Sequence, residues 1–258
     1  MENLNSLFVL LGIAAFMAGF VDAVVGGGGL VQIPALFAAY PTTLPATLFG
    51  TNKLSSIVGT FSAAVQYARR IPIVWSVAIP SALAALVGSW FGAKVVVYLP
   101  PELIRPVVLV LLVAVAIYTF ARKDFGKGAD VRPARNREMM IGALIGAAVG
   151  FYDGFFGPGT GSFLIFLFVR FIGLDFLSAS AVAKIVNVAT NLAALAVFSA
   201  SVEILWKLGL VMASCNLAGA LIGSRMALKH GAAFVRRMFL FVVVVLIGKL
   251  AYDLLAGG

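Results

Sequence analysis

The sequence predicts an all-α fold: a polytopic transmembrane helical bundle of two inverted-topology repeats, with glycine-broken or re-entrant helices. Three observations predict it. Hydrophobic residues fill 62% of the 258 positions and charged residues only 11%, with a mean hydropathy of +1.08. Soluble domains carry about 25% charged residues, so this chain lacks the polar cover that water demands and must take the bilayer as its solvent. The chain also carries one set of landmarks twice, and the charge of equivalent loops swaps between the two copies.

The duplication is ungapped. Gly19-Phe20-Val21-Asp22, followed by Gly26, Gly27, Gly28 and Gly29, returns 131 positions later as Gly150-Phe151-Tyr152-Asp153, followed by Gly157, Pro158, Gly159 and Gly161. The same offset pairs Lys53 with Lys184, Trp75 with Trp206, Gly88 with Gly219, Gly92 with Gly223, Lys94 with Arg225 and Arg105 with Arg236. Residues 1–121 form the first repeat, 122–138 a polar connector and 139–258 the second repeat. Duplicated apolar halves interrupted by glycine at matching places are the pattern of a secondary transporter.

Taken in order, apolar segments cover 7–25, 30–40, 51–68, 73–99 and 103–120, then 139–156, 162–172, 179–200, 204–228 and 234–255. Most approach the ~20 residues that span a hydrocarbon core. Segments 30–40 and 162–172 are too short to cross, and each follows a glycine-rich break, so they read as half-helices or re-entrant pieces. Pro34, Pro41 and Pro45 make the first more irregular. Gly88-x-x-x-Gly92 and Gly219-x-x-x-Gly223 are faces for close helix contact, and Trp75 and Trp206 stand where interfacial anchors do.

Basic residues set the expected orientation. Arg69-Arg70, the connector, Arg170, Arg225, Lys229, Arg236 and Arg237 hold 13 of the 19 Lys and Arg, all on one side if the spans alternate. By the positive-inside bias that side is the cytoplasm, with the connector there and both termini outside. Arg69-Arg70 corresponds to Ala200-Ser201 beside Glu203, whereas residues 99–102 correspond to 230–233, flanked by Lys229, Arg236 and Arg237. The exchanged charge implies halves of opposite orientation, each with an odd number of net crossings: three full spans plus a returning hairpin or broken pair. The first segment, without a basic n-region, is expected to be retained and not cleaved as a signal peptide.

Other classes lose ground. The net charge of +9 lies in short loops between spans and marks topology, not a nucleic-acid surface. One cysteine, Cys215, and one histidine, His230, leave no paired ligands for a metal cluster, so no metal, cofactor or intramembrane enzyme chemistry is expected. No nucleotide-binding motif appears. The expected partners are a small anion, the lipid bilayer, a coupling proton or sodium ion, and, as an open option, further copies of the chain.

The breaks carry the chemistry. Glycine lets backbone leave helical geometry, and non-helical backbone at membrane depth survives only where it is buried or lines a wet cavity. A helix restarting there aims N–H groups and a positive dipole end at the cavity, an anion site. Gly27, Gly28 and Gly29 of the first break and Gly159, Thr160 and Gly161 of the second are therefore candidate binding residues. Lys53 and Lys184 either neutralise the anion, change protonation during a coupling cycle, or snorkel to the headgroups. Asn52, Asn187 and Asn191 are candidate lining residues, and Lys184, Asn187 and Asn191 share one helical face. Ser55, Ser56, Thr60 and Thr190 add to this polar patch, the serines reading as interhelical hydrogen bonders, and Gln32 and Gln66 are weaker candidates. Asp22 and Asp153 serve either coupling or a structural lock, by capping the restarted helix or pairing with Lys53 or Lys184. Tyr152, Phe155 and Phe156 flank an organic substituent or simply pack.

The repeated Gly-Phe-x-Asp and glycine break, Ile33-Pro34-Ala35-Leu36 after the first break, and Thr51-Asn52-Lys53 resemble the sulfite exporter TauE/SafE family of membrane permeases over the whole chain. The second half departs from the pattern, with Gly157-Pro158-Gly159-Thr160-Gly161 in place of uniform glycines and Ile165 in place of Pro34. The resemblance implies a permease of the cytoplasmic (inner) membrane moving a sulfur-containing anion such as sulfite or an organosulfonate. Alternating access between paired breaks is the expected mechanism. An anion channel, or a carrier of a non-sulfur organic acid, is the alternative.

Overall fold

The computed structural model describes residues 2–104, 106, 107, 110 and 133–256. The expected segment 103–120 and the connector therefore lie almost wholly outside the described residues. The helices are α1 (Glu2–Val25), α2 (Gly29–Ala39), α3 (Pro45–Ala68), α4 (Trp75–Tyr98), α5 (Arg135–Phe155), α6 (Thr160–Leu167), α7 (Phe176–Ser201) and α8 (Trp206–Ala256). A π-helical turn, Phe168–Ile172, extends α6, and α8 is broken at Gly231, whose φ is 71°. Among the described residues no strand occurs. Leu7–Val25, α4, α5, α7 and Trp206–Gly231 are long and apolar enough to cross a membrane. The chain is an all-α membrane bundle, as its composition predicts.

Local chemistry explains the punctuation. Gly26 and Gly157 occupy equivalent places just beyond α1 and α5, with φ of 79° and 96°, the left-handed geometry that ends a helix. The Gly26 N–H donates to the Asp22 carbonyl at 2.8 Å, closing the last turn of α1. Pro158 then follows Gly157, where a helix cannot continue. Pro45 takes the first turn of α3, where its missing N–H costs nothing. The Asp175 carboxylate caps α7 by accepting from the Leu177 and Ser178 N–H groups at 3.0 and 3.1 Å.

Three apolar clusters fix helix directions. One, at the end that carries Arg69, Arg70 and Lys229, gathers Val25, Tyr67, Val77, Phe168, Ile172, Phe176 and Ala227. A second, at the opposite end, gathers Ala46, Phe49, Val96, Phe156, Phe198 and Ile204. Thus α3 runs from the second cluster to the first, and α7, its sequence equivalent, runs from the first to the second. Likewise α4 runs from the first to the second, while α8 starts beside the second and reaches the first. In the third cluster α2 returns toward the start of α1, placing Leu36 against Leu11 and Ala15. The α6–π segment returns to the first cluster, where α5 began. Both short segments are re-entrant in this sense.

Small residues weld the outer pairs. Gly88 and Gly92 of α4 sit against Ala147, Phe151 and Phe155 of α5, and Gly142, Gly146, Gly150 and Gly154 of α5 sit against Val77, Ser81, Ala85 and Ser89 of α4. The same pairing repeats between α8 and α1, where Gly219 and Gly223 meet Phe16 and Phe20. A Cβ at most of these positions would collide with facing backbone, so the helices approach closely. The GxxxG expectation stands, and it missed the longer glycine stripe of α5. Trp75 and Trp206 are exposed at the first positions of α4 and α8, where anchors were expected.

Candidate functional site

The two breaks meet. The Ser162 N–H donates to the Gly26 carbonyl at 3.1 Å, and the Ser162 hydroxyl donates to the Val25 carbonyl at 2.7 Å. Gly26 and Gly161 touch backbone to backbone, leaving no room for a Cβ on either. Helix α3 begins at Pro45, six residues before the expected start, because proline opens a helix as readily as the apolar run that follows. Lys53 is consequently the ninth residue of α3, and Lys184 is the ninth of α7. Each lies about 12 Å in from its helix start. With side chains only 4% and 1% exposed, neither snorkels.

Each lysine pairs across the duplication. The Lys53 ammonium donates to Asp153 Oδ2 at 2.6 Å. The Lys184 ammonium donates to the Asp22 main-chain carbonyl and lies 3.4 Å from Asp22 Oδ2. Asp22 Oδ2 also accepts from the Thr60 hydroxyl at 3.2 Å, and Asp153 Oδ1 from the Thr160 hydroxyl at 2.7 Å. Charges removed from water need such partners, and here each cation of one half is neutralised by the carboxylate of the other. The four formal charges cancel. The geometry shows Asp153 paired with Lys53 and Asp22 paired with Lys184.

These pairs border a central cavity lined by Asp22, Gly26, Gly29, Asn52, Lys53, Ser56, Thr60, Asp153, Gly157, Thr160, Gly161, Asn187 and Asn191. Its free volume of about 20 Å³ holds one water-sized particle. Expected residues brought together there are Gly29, Asn52, Lys53, Thr160, Gly161, Asn187 and Asn191. Gly27, Gly28 and Gly159 shape the breaks without lining the cavity, and Lys184 stands behind Asp22. Ser56 and Thr60 were underrated: they are the equivalents of Asn187 and Asn191 at the 131-residue offset, a signal the sequence held. Asn52 Oδ1 is buried without a hydrogen-bond donor among the described residues, so its amide has spare capacity at the cavity. Ser55 Oγ is likewise buried without a partner, away from the lining set. Gln32 accepts from the Asn216 amide at 3.2 Å and is part of the packing. The Tyr152 hydroxyl donates to the Pro158 carbonyl, and Phe156 packs edge-on to Phe49 and Tyr152, so these aromatics are structural. Among the described residues no cluster of His, Cys, Asp or Glu has metal-site geometry.

The chain matches the sulfite exporter TauE/SafE family over residues 11–250. It is 36% identical over 260 residues to the probable membrane transporter protein YfcA of Escherichia coli K12, covering 98% of this chain and 95% of that one. It is 36% identical over 249 residues to the probable membrane transporter protein ORF9 of a Sinorhizobium species, covering 96% and 93%. A probable membrane transporter protein of Haemophilus influenzae is 33% identical over 251 residues, covering 96% and 95%. No solved structure gives a significant match. Paired glycine breaks, a polar cavity inside an apolar bundle and relatives named as transporters, not enzymes, converge on one conclusion: the chain is a membrane transporter and belongs to the sulfite exporter TauE/SafE family.

Proposed function

We propose that the protein is a secondary transporter of the cytoplasmic membrane that moves a small sulfur-containing anion, such as sulfite or an organosulfonate, by ion-coupled alternating access. The observation that carries this reading is the meeting of the two breaks at a polar cavity bounded by crossed Lys–Asp pairs. The opposed directions of α3 and α7, and of α4 and α8, support two inverted repeats. In that arrangement the Arg69-Arg70 end faces the cytoplasm and the termini face outside. The restarted helices α2 and α6 turn their N-terminal ends toward the cavity, and Asn52, Ser56, Asn187 and Asn191 offer hydrogen bonds to anion oxygens.

Charge cancellation suggests how coupling works. A neutral site attracts no anion, but protonating Asp153 or Asp22 frees its lysine to take one. Proton and anion then bind as a pair, and each makes the other's burial less costly. Counterflow in proteoliposomes is the first test: exchange of labelled sulfite or an organosulfonate against a gradient is expected, and Asn187→Ala should slow it about tenfold while the protein stays folded. Flux without exchange would establish a channel, and wild-type exchange in Asn187→Ala would remove that residue from the site. Asp153→Asn imitates the protonated carboxyl. It should keep exchange yet lose accumulation driven by a proton gradient; retained accumulation overturns proton coupling through this pair.

A further inference from the structure

A second hollow, of about 520 Å³, opens between α3 and α8 at the arginine end. Among the described residues Gln66, Arg69, Arg70, Leu221, Arg225, Leu228 and Lys229 line it, so four of these seven side chains are cationic and none is acidic. The cations come from opposite halves of the chain. Arg69 and Arg70 close the C-terminal end of α3, where the helix dipole favours positive charge. Arg225 and Lys229 are spaced i, i+4 on α8, one above the other, a like-charged spacing that is repulsive by itself. None of the four has an ion-pair partner among the described residues. Beside them the Gln66 Nε2 is a buried donor without an acceptor.

Topology alone does not require this arrangement. A positive-inside signal needs basic residues on one side of the membrane, anywhere in the loops. It does not need them gathered from two helices into one concavity, nor a buried amide left unsatisfied beside them. Both features are met by one kind of occupant: an oxyanion that accepts from the guanidinium groups and from the amide while relieving the repulsion on α8. The hollow is also separate from the central cavity. Thr60 lines the cavity and Gln66 the hollow, about 9 Å apart along α3. Between them Ala23, Ala63 and Ala220 form a buried apolar cluster, and the Tyr67 hydroxyl donates to the Ala23 carbonyl at 3.1 Å.

We propose that the hollow between α3 and α8 is a second oxyanion-binding site, held by Arg69, Arg70, Arg225, Lys229 and Gln66. Its ligand carries a sulfonate- or phosphate-type group, supplied either by a dissolved anion or by the headgroup of an anionic lipid. The site does not depend on what the central cavity carries.

Equilibrium binding of radiolabelled sulfate to the full chain in phosphatidylcholine nanodiscs tests it, together with phosphatidylglycerol retention measured by native mass spectrometry. If the anion is dissolved, Arg225→Gln/Lys229→Gln should bind sulfate about tenfold more weakly, or worse, at one class of site. Asn187→Ala/Asn191→Ala should leave that class intact. If the anion is a headgroup, the same α8 variant should lose retained phosphatidylglycerol, with sulfate binding unmoved. Should the α8 variant not fold, Arg69→Gln/Arg70→Gln asks the same question from α3. Sulfate binding and lipid retention both at wild-type levels in a folded variant overturn the site. Loss of sulfate binding only in the Asn187→Ala/Asn191→Ala variant, with phosphatidylglycerol retention unchanged in the α8 variant, also overturns it, while leaving the central reading in place.

Discussion

Lys53 and Asp153 are 100 positions apart in sequence and 2.6 Å apart in space. Removing one partner of such a pair leaves a charge inside the bundle with nothing to answer it, at a cost of about 3–5 kcal/mol. Removing both leaves two neutral groups. Lys53→Met should therefore lower the unfolding temperature of the purified protein sharply, and Lys53→Met/Asp153→Asn should regain much of the loss. Thermal unfolding in detergent reads this, and a double variant no more stable than the single one would deny the pairing. At this scale the sequence named the participants, because a lysine and an aspartate at matched places in an apolar chain have few reasons to exist. It did not name the partners. Residues 22, 53, 153 and 184 allow both pairings within a half and pairings between halves, and only the folded contact of the two breaks selects the crossed set.

At the scale of the element, the breaks were legible and their interlocking was not. Gly26 has a φ of 79° and lies against the Gly161 backbone; Gly231 has a φ of 71° and open space around it. A Cβ at Gly231 meets no neighbouring atom among the described residues, but φ 71° with ψ −168° is a backbone conformation nearly reserved for glycine, at a cost of about 1–3 kcal/mol. The same Cβ at Gly26 also forces the two breaks apart. Gly231→Ala should remain monodisperse and lose only a few degrees of thermal stability. Gly26→Ala should lose most of its folded yield on size-exclusion chromatography; equal yields would show that the breaks do not interlock. Helix α3 taught the opposite lesson. Its Thr, Asn, Lys and Ser residues lower its apolarity below that of the other 24-residue helices, so a hydropathy window passes over it. Those residues tolerate the bundle because they turn inward to the site, a fact that a hydropathy window averages away.

For the whole molecule the testable quantity is which end of each helix faces which side. With Cys215 replaced, Arg70→Cys and Ser201→Cys should react with a membrane-impermeant thiol reagent from opposite faces of the membrane. Labelling of both from one face would contradict the inverted arrangement, because residues 70 and 201 end the equivalent helices α3 and α7.

The sequence by itself determined the solvent, the class of fold, the duplication and the places where helices break. Those properties follow from composition and local backbone chemistry, which neighbouring residues impose on each other. The tertiary structure alone decided that each lysine crosses to the other half and that four cations from α3 and α8 converge on one hollow. Such pairings depend on how distant segments pack in three dimensions, and no local preference along the chain encodes which of several compatible partners will be adjacent.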